Sequence, residues 1–483
     1  MRGVAGDHAL VFRGIPYAAA PVAHLRFAAP EPHPGWSGVR ETISNGPTPT
    51  LGPPADTHSV PEDPVPGQER LNLNIFTPTT DAGAKLPVYV WIHGGGYVGG
   101  APGGEWFDGT SFATRGIVTV TITYRLGMEG FGHIPGAPDN RGVLDQIAAL
   151  QWVQHNIAAF GGDPGRVTVG GQSAGAGSVL ALLASPATTG LFTRAVSHSA
   201  PLPDIDPEAA TAVGLAMARI CGVEHTVAGW SSLSREQIVE AERSLAGSGV
   251  WAGLRSLSRT LRERDPVIWF GPVLGAEPLG PDILSDLGAA ERPLLLGSTS
   301  QEFNKIAGQI NQGVSRGFTP VVLSSFGIPA VRARAYPAAY PELSGLELVG
   351  QAITDRVFRY PVMRIATTRG RTSAPTWVWD FRWRSPVTGQ AGHCLDLPFA
   401  WNNLYAERVA RSAGTDPPVE LATQMHTAIC SFIADGDPGW APFTPQQPVA
   451  RVFDTESWTG RDPYRFERIA VQTEVNDQGR RRG

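Results

Sequence analysis

Arg166-Val167-Thr168-Val169-Gly170-Gly171-Gln172-Ser173-Ala174-Gly175 passes from a short β-branched run into a segment of small residues. Residues 166–169 have the composition of a buried strand. From Ala174 to Ala184 small and aliphatic residues predict a helix. The serine lies at the junction, within the pattern G-x-S-x-G. That pentapeptide alone is weak, because glycine, serine and alanine are common in this chain. A strand ending just before it and a helix starting just after it make it specific, as a nucleophile elbow. A serine in so tight a turn needs neighbours without Cβ atoms. Its hydroxyl then stands at a helix N-terminus, where partial positive charge favours a developing anion. The competing reading is a glycine- and serine-rich helix start with no chemistry.

Upstream, Leu86–Ile92 is short, apolar and stopped by glycines, and Ile117–Tyr124 is rich in β-branched residues. Both predict strands. Between Asp139 and Phe160 the pattern turns helical, with Val143, Ile147, Leu150 and Val153 spaced by three and four; Gly161-Gly162-Asp163-Pro164 ends that helix. Strand, helix, strand, helix in this order implies a mostly parallel, doubly wound α/β sheet flanked by helices. Downstream, Leu294–Leu296 and Thr376–Trp383 read as strands, and 343–370 and 417–434 as helices. No serine- or glycine-rich linker divides these pieces, which predicts one catalytic domain over 1–483 with helical insertions at about 205–265 and 305–370. Residues 46–67 hold seven prolines, three glycines and no Phe, Tyr or Trp: a loop, and a candidate lid.

Composition narrows the function. A hydrophobic fraction of 42% and a charged fraction of 17% suit a globular protein with a large core. A net charge of −5 argues against a nucleic-acid or anionic-membrane partner, since each calls for a basic face. No apolar run approaches the roughly 18 residues of a membrane span. The first eight residues contain no signal-peptide core, so the expected location is the cytoplasm. Three cysteines (Cys221, Cys394, Cys430) are too few and too scattered for a disulfide framework or a zinc site. Neither a metal nor an organic cofactor is expected, and the expected partner is a small-molecule ester.

Acyl transfer needs amide donors aimed at a tetrahedral oxyanion. His93-Gly94-Gly95-Gly96 follows a predicted strand directly, as the oxyanion loop of such hydrolases does. The candidate donors are the amides of Gly95, Gly96 and Ala174. A phosphate loop would want G-x-x-x-x-G-K-S/T and a dinucleotide loop G-x-G-x-x-G opening a helix, and neither pattern is here. In an α/β-hydrolase fold the order is Ser, acid, His. Of eleven histidines only His198, His225, His393 and His426 follow Ser173. His198 and His225 come early, leaving few strands beyond them, and His426 lies in the last helix. His393, in the loop Gly389-Gln390-Ala391-Gly392-His393, is the candidate base. For the acid, Glu302 follows the strand at Leu294–Leu296, where α/β sheets place their sites, but Asp355 and Asp380 stay open as rivals.

Taken together these residues resemble the type B carboxylesterase family, which also contains the cholinesterases. Phe12-Arg13-Gly14-Ile15-Pro16-Tyr17-Ala18 and Leu25-Arg26-Phe27 look like its first signature, and Leu71–Pro78 like its next strand. Phe160-Gly161-Gly162-Asp163-Pro164, Gly392-His393-Cys394-Leu395-Asp396-Leu397-Pro398-Phe399 and Asp435-Gly436-Asp437-Pro438 fit as well. The resemblance spans nearly the whole chain and implies an α/β-hydrolase fold. Ser173, His393, Gly95, Gly96 and Ala174 fall on the family's functional positions. Glu302 aligns with the family's acid, which leaves Asp355 and Asp380 as structural. Arg125 and Asp145 resemble a family ion pair that braces the sheet.

Three departures matter. Arg70 stands where the family often has a loop-closing cysteine, consistent with a reducing compartment. Neutral Gln172 replaces the acidic residue usual before the nucleophile. The chain also begins close to the first signature, so the expectation is either a short N-terminal strand or an incomplete start. The implied function is a serine carboxylesterase that hydrolyses neutral carboxylic esters through an acyl-enzyme on Ser173. A dedicated hydrolase of one biosynthetic ester, carbamate or thioester is the alternative. A non-catalytic cholinesterase-like domain is a second, but such domains characteristically lose a triad member.

Overall fold

Alternation along Leu86–Ile92 explains why this protein builds a sheet covered on both faces. Val88, Val90 and Ile92 point into one core cluster, Tyr89 and Trp91 into another, and all five are at most 1% exposed. The computed structural model describes residues 1–49, 60, 64–246, 269–304, 315–325, 327–371 and 374–471. Its strands are β1 (Val4–Ala5), β2 (Leu10–Pro16), β3 (Asn72–Thr77), β4 (Leu86–Ile92), β5 (Val118–Ile122), β6 (Gly162–Gln172), β7 (Arg194–His198), β8 (Leu294–Thr299), β9 (Thr376–Phe381), β10 (Val449–Phe453) and β11 (Trp458–Arg461). They form one sheet in the order β1-β2-β3-β5-β4-β6-β7-β8-β9-β10-β11. From β5 to β10 neighbours run parallel, while β1, β2, β3 and β11 join antiparallel at the edges.

The expected parallel α/β core is therefore present, and one boundary differs from the sequence reading. Gly162-Asp163-Pro164 opens β6; the helical segment is stopped by Gly161 alone, which adopts φ +77°. β1 is two residues long.

Helices Arg141–Asn156 and Ala174–Ala184 pack Val143, Leu150, Val179 and Leu180 onto one face of the sheet. Helix Val419–Asp435 covers the other with Leu421, Met425 and Phe432. Helices Pro207–Cys221, Val227–Ser231 and Arg235–Ala246 occupy the first inserted region. The second contains Thr319–Ser325, Ala330–Ala339, Gly345–Thr354 and Tyr360–Arg369, with a separate apolar cluster around Leu323, Tyr336, Leu348 and Val357. Residues 247–265, 305–314, 50–59 and 61–63, parts of the expected insertions and of the proline-rich loop, lie outside the described residues. Among the described residues no helix is long and apolar enough to cross a membrane.

Two buried ion pairs bind the amino-terminal segment to this core. Arg125 meets Asp145 at 2.7 and 2.8 Å and donates to the Ala28 carbonyl at 2.7 Å. Arg70 donates to Glu129 and to the Pro21 carbonyl, each at 3.2 Å. Glu129 also takes Arg26 at 2.7 Å and Arg235, from the first insertion, at 3.4 Å. Burial opposes ionisation of Glu129, but Arg70, Arg235 and Arg26 outweigh it and hold its carboxyl below the usual range. An arginine–carboxylate cluster thus joins these segments at the position where the resembling family often carries a cysteine.

Candidate active site

β6 ends at Gln172 and the helix Ala174–Ala184 begins two residues later, so Ser173 alone makes the turn. It adopts φ +55°, ψ −123°, a conformation costing about 1–3 kcal/mol for a residue with a side chain. Its N–H donates to the His198 carbonyl at 2.9 Å and its carbonyl accepts from Gly177 at 2.9 Å, which holds the strained turn from both sides. Glycine is required on either flank. A Cβ at Gly171 would lie 2.5 Å from the Gly175 carbonyl oxygen, and one at Gly175 would strike the carbonyls of Ile92 and His93.

Glu302 leaves the carboxyl end of β8. Its side chain is fully enclosed; Oε1 accepts from the Thr299 amide at 2.9 Å, and Oε2 lies 2.5 Å from His393 Nδ1. The other ring nitrogen, Nε2, is 3.0 Å from Ser173 Oγ. The loops carrying Glu302 and His393 are paired through their backbones, His393 N–H donating to the Glu302 carbonyl at 3.0 Å and Gln301 N–H to Ala391 at 3.0 Å. Phe303 and Phe358 flank the imidazole with ring centroids 5.0 Å away. Burial opposes protonation of His393, but Cys394 and the Glu302 carboxylate outweigh it and hold the imidazolium form well above the ordinary histidine range.

The other sequence candidates lie elsewhere. Asp380 bonds Arg359 at 2.8 Å and Arg382 at 2.7 Å; burial resists its ionisation, and the two guanidiniums overcome that. Asp355 accepts from Gln351 at 2.8 Å and Tyr340 at 3.1 Å. His426 is buried, its Nδ1 2.9 Å from the Ala400 carbonyl. His225 bonds the Trp230 indole at 3.2 Å.

The glycine loop after β4 packs against the elbow: a Cβ on Gly94 would lie 3.1 Å from Ser173 Cβ and 2.5 Å from Gln172 Oε1. Gly95 and Gly96 take φ +111° and +62°, which turns this backbone where L side chains rarely go. Among the described residues no protein acceptor engages the amides of Gly95, Gly96 or Ala174. His93 beside them is buried, bonded to the Gly94 carbonyl and pushed down to about 4 by burial, so it stays neutral.

Sequence reasoning missed two neighbours. The Gln172 carboxamide nitrogen lies 3.1 Å from His393 Nε2, a contact that adjacency to the nucleophile could have suggested. Phe358, from an inserted helix, carried no such signal.

The chain is similar to known esterases along most of its length. The carboxylesterase family model matches residues 2–319. The para-nitrobenzyl esterase of Bacillus subtilis (strain 168) is 32% identical over 471 residues, covering 94% of this chain and 92% of that protein. The phenmedipham hydrolase of Pseudarthrobacter oxydans is 32% identical, with 98% and 97% covered. Among solved structures, a Geobacillus stearothermophilus carboxylesterase superposes with a TM-score of 0.83 at 34% identity, covering 97% of this chain and 98% of that one. With such similarity along nearly its full length and a large mostly parallel sheet between helices, this chain belongs to the carboxylesterase family, as a carboxylic-ester hydrolase of the α/β-hydrolase fold.

Proposed function

We propose that Ser173, His393 and Glu302 are the catalytic triad and that the enzyme hydrolyses neutral carboxylic esters to acid and alcohol. The observation that carries the triad is His393 standing between Ser173 Oγ at 3.0 Å and Glu302 at 2.5 Å. His393 Nε2 takes the Ser173 proton as Oγ attacks the ester carbonyl. Glu302 keeps the proton on Nδ1 and stabilises the imidazolium that forms. The amides of Gly95, Gly96 and Ala174 hold the oxyanion, each such donor being worth roughly 3 kcal/mol in the transition state. The C–O bond to the alcohol then breaks, and His393 returns its proton to the leaving oxygen. A water deprotonated by the same imidazole attacks the acyl-enzyme; acid and Ser173 are released. We further read 1–483 as one catalytic unit and its location as the cytoplasm, the support for the latter being the Arg70–Glu129 pair in place of a family cysteine.

The preference for neutral esters rests on charge and aromatic placement. A quaternary ammonium is recognised over an aromatic face, worth about 0.5–2 kcal/mol, with help from nearby negative charge. In the cholinesterases an aromatic residue of the disulfide-closed loop provides that face, and residues 46–67 here have no Phe, Tyr or Trp. Neutral Gln172 lies beside the imidazole. Of the tryptophans in or just after the first inserted region, Trp230 is fully buried and Trp269 is 41% exposed, while Trp251 lies outside the described residues. Hydrolysis of p-nitrophenyl butyrate tests the activity. Steady-state kinetics on ethyl butyrate beside butyrylcholine test the preference. kcat/KM is expected to favour the neutral ester after correction for leaving-group pKa, and a clear preference for the choline ester contradicts the reading.

A further inference from the structure

His198, set aside from the sequence because it lies early in the chain, is buried beneath the elbow. It is the last residue of β7, and its carbonyl is the acceptor that holds the Ser173 amide at 2.9 Å. The following residue, Ser199, has φ +52° and donates its N–H to Gly297 of β8 at 2.8 Å, fixing the backbone on the other side. The imidazole Nδ1 of His198 meets Asp396 Oδ2 at 2.8 Å; the two side chains are 1% and 0% exposed. The rings of Trp91 and Trp379 enclose His198, with centroids 5.7 and 5.0 Å away.

Asp396 lies three residues beyond His393. The turn between them is closed by its own bonds, Leu395 N–H to Gly392 and Leu397 N–H to Cys394, at 3.2 and 3.1 Å. Cys394 within it takes φ +68°. This turn therefore gives its histidine to Glu302 on one side and its carboxylate to His198 on the other. Through one buried side chain, the residue that supports the strained serine is joined to the loop that carries the base.

We propose that His198 and Asp396 are positioning residues: a second imidazole–carboxylate pair that sets the distance between Ser173 Oγ and His393 Nε2. The proposal rests on reading those two groups as nucleophile and base. A buried pair of this kind has a defined hydrogen-bond direction, and neither partner can turn to water instead. Its loss lets the 392–397 turn shift relative to the elbow, and a misplacement of about 1 Å between reacting groups costs on the order of 10²-fold in rate.

The test compares His198→Phe, which keeps a ring and loses the donor, with His198→Asn, which offers an amide N–H near the Nδ1 position. For each, kcat and KM on p-nitrophenyl butyrate and the rate of phosphonylation by a p-nitrophenyl phosphonate are measured, with circular dichroism as the check on folding. His198→Phe is expected to lower kcat at least about tenfold with KM within about twofold, and to slow phosphonylation by the same factor. His198→Asn is expected to recover kcat to within about threefold of wild type. Should His198→Phe not fold, His198→Gln carries the test: its amide is displaced by one methylene, and the same loss at unchanged KM is expected. A folded His198→Phe or His198→Gln with wild-type kcat overturns the proposal, as does a loss that His198→Asn does not recover. A wild-type enzyme phosphonylated at a residue other than Ser173 overturns the triad reading instead, so the two failures are distinguishable.

Discussion

Replacing Ser173 with alanine is expected to lower kcat on a p-nitrophenyl ester by about 10⁶-fold, the scale on which a triad nucleophile acts together with its base. Alanine removes one oxygen from a residue whose backbone is already fixed at φ +55° by bonds to His198 and Gly177. The fold and the glycine loop should therefore stay as they are. Residual rate above water, from oxyanion stabilisation and binding, is expected at about 10³–10⁴-fold. Progress curves with enough protein to see that residue check the figure. Activity within a hundredth of wild type in a folded Ser173→Ala enzyme contradicts the assignment.

Glu302→Gln is expected to cost about 10⁴-fold in kcat, as loss of a triad carboxylate does where the imidazole can then take the wrong tautomer. The side chain is fully enclosed and Oε1 already accepts the Thr299 amide, so glutamine fits the space but loses one acceptor toward His393 Nδ1. The pH profile gives an independent sign. His393 is raised above its ordinary range with burial opposing and Cys394 and Glu302 favouring the imidazolium, and only the neutral ring accepts the serine proton. Wild-type kcat/KM should accordingly rise with pH through that elevated value. In Glu302→Gln the favourable carboxylate is gone, and the limb should move to lower pH. Asp355→Asn and Asp380→Asn, which alter carboxylates bound to Tyr340, Gln351, Arg359 and Arg382, should keep the wild-type profile if they fold.

The parallel core was legible because its signals are local. Val88, Val90 and Ile92 against Tyr89 and Trp91, and the glycines at 171 and 175, state their requirements within a few residues. The candidate acid was less legible: position alone left Asp380 a rival of Glu302, the likeness to the family favoured Glu302, and in the structure, where β8 and β9 lie side by side, Asp380 is claimed by Arg359. His198 was passed over for the same reason: order along the chain says nothing of a partner 198 residues away. Position also misled at Gly162-Asp163-Pro164, where turn-forming residues open a strand because Gly161 has already ended the helix. The cluster of Arg26, Arg70 and Arg235 on Glu129 has no sequence signature, since its members come from four separate segments.

Inactivating the enzyme with diisopropyl fluorophosphate and mapping the adduct by peptide mass spectrometry tests whether Ser173 is the activated nucleophile. One adduct per chain is expected, on Ser173, formed in step with loss of esterase activity. An adduct on Ser197, Ser199 or any other residue, or full activity with Ser173 modified, would contradict it.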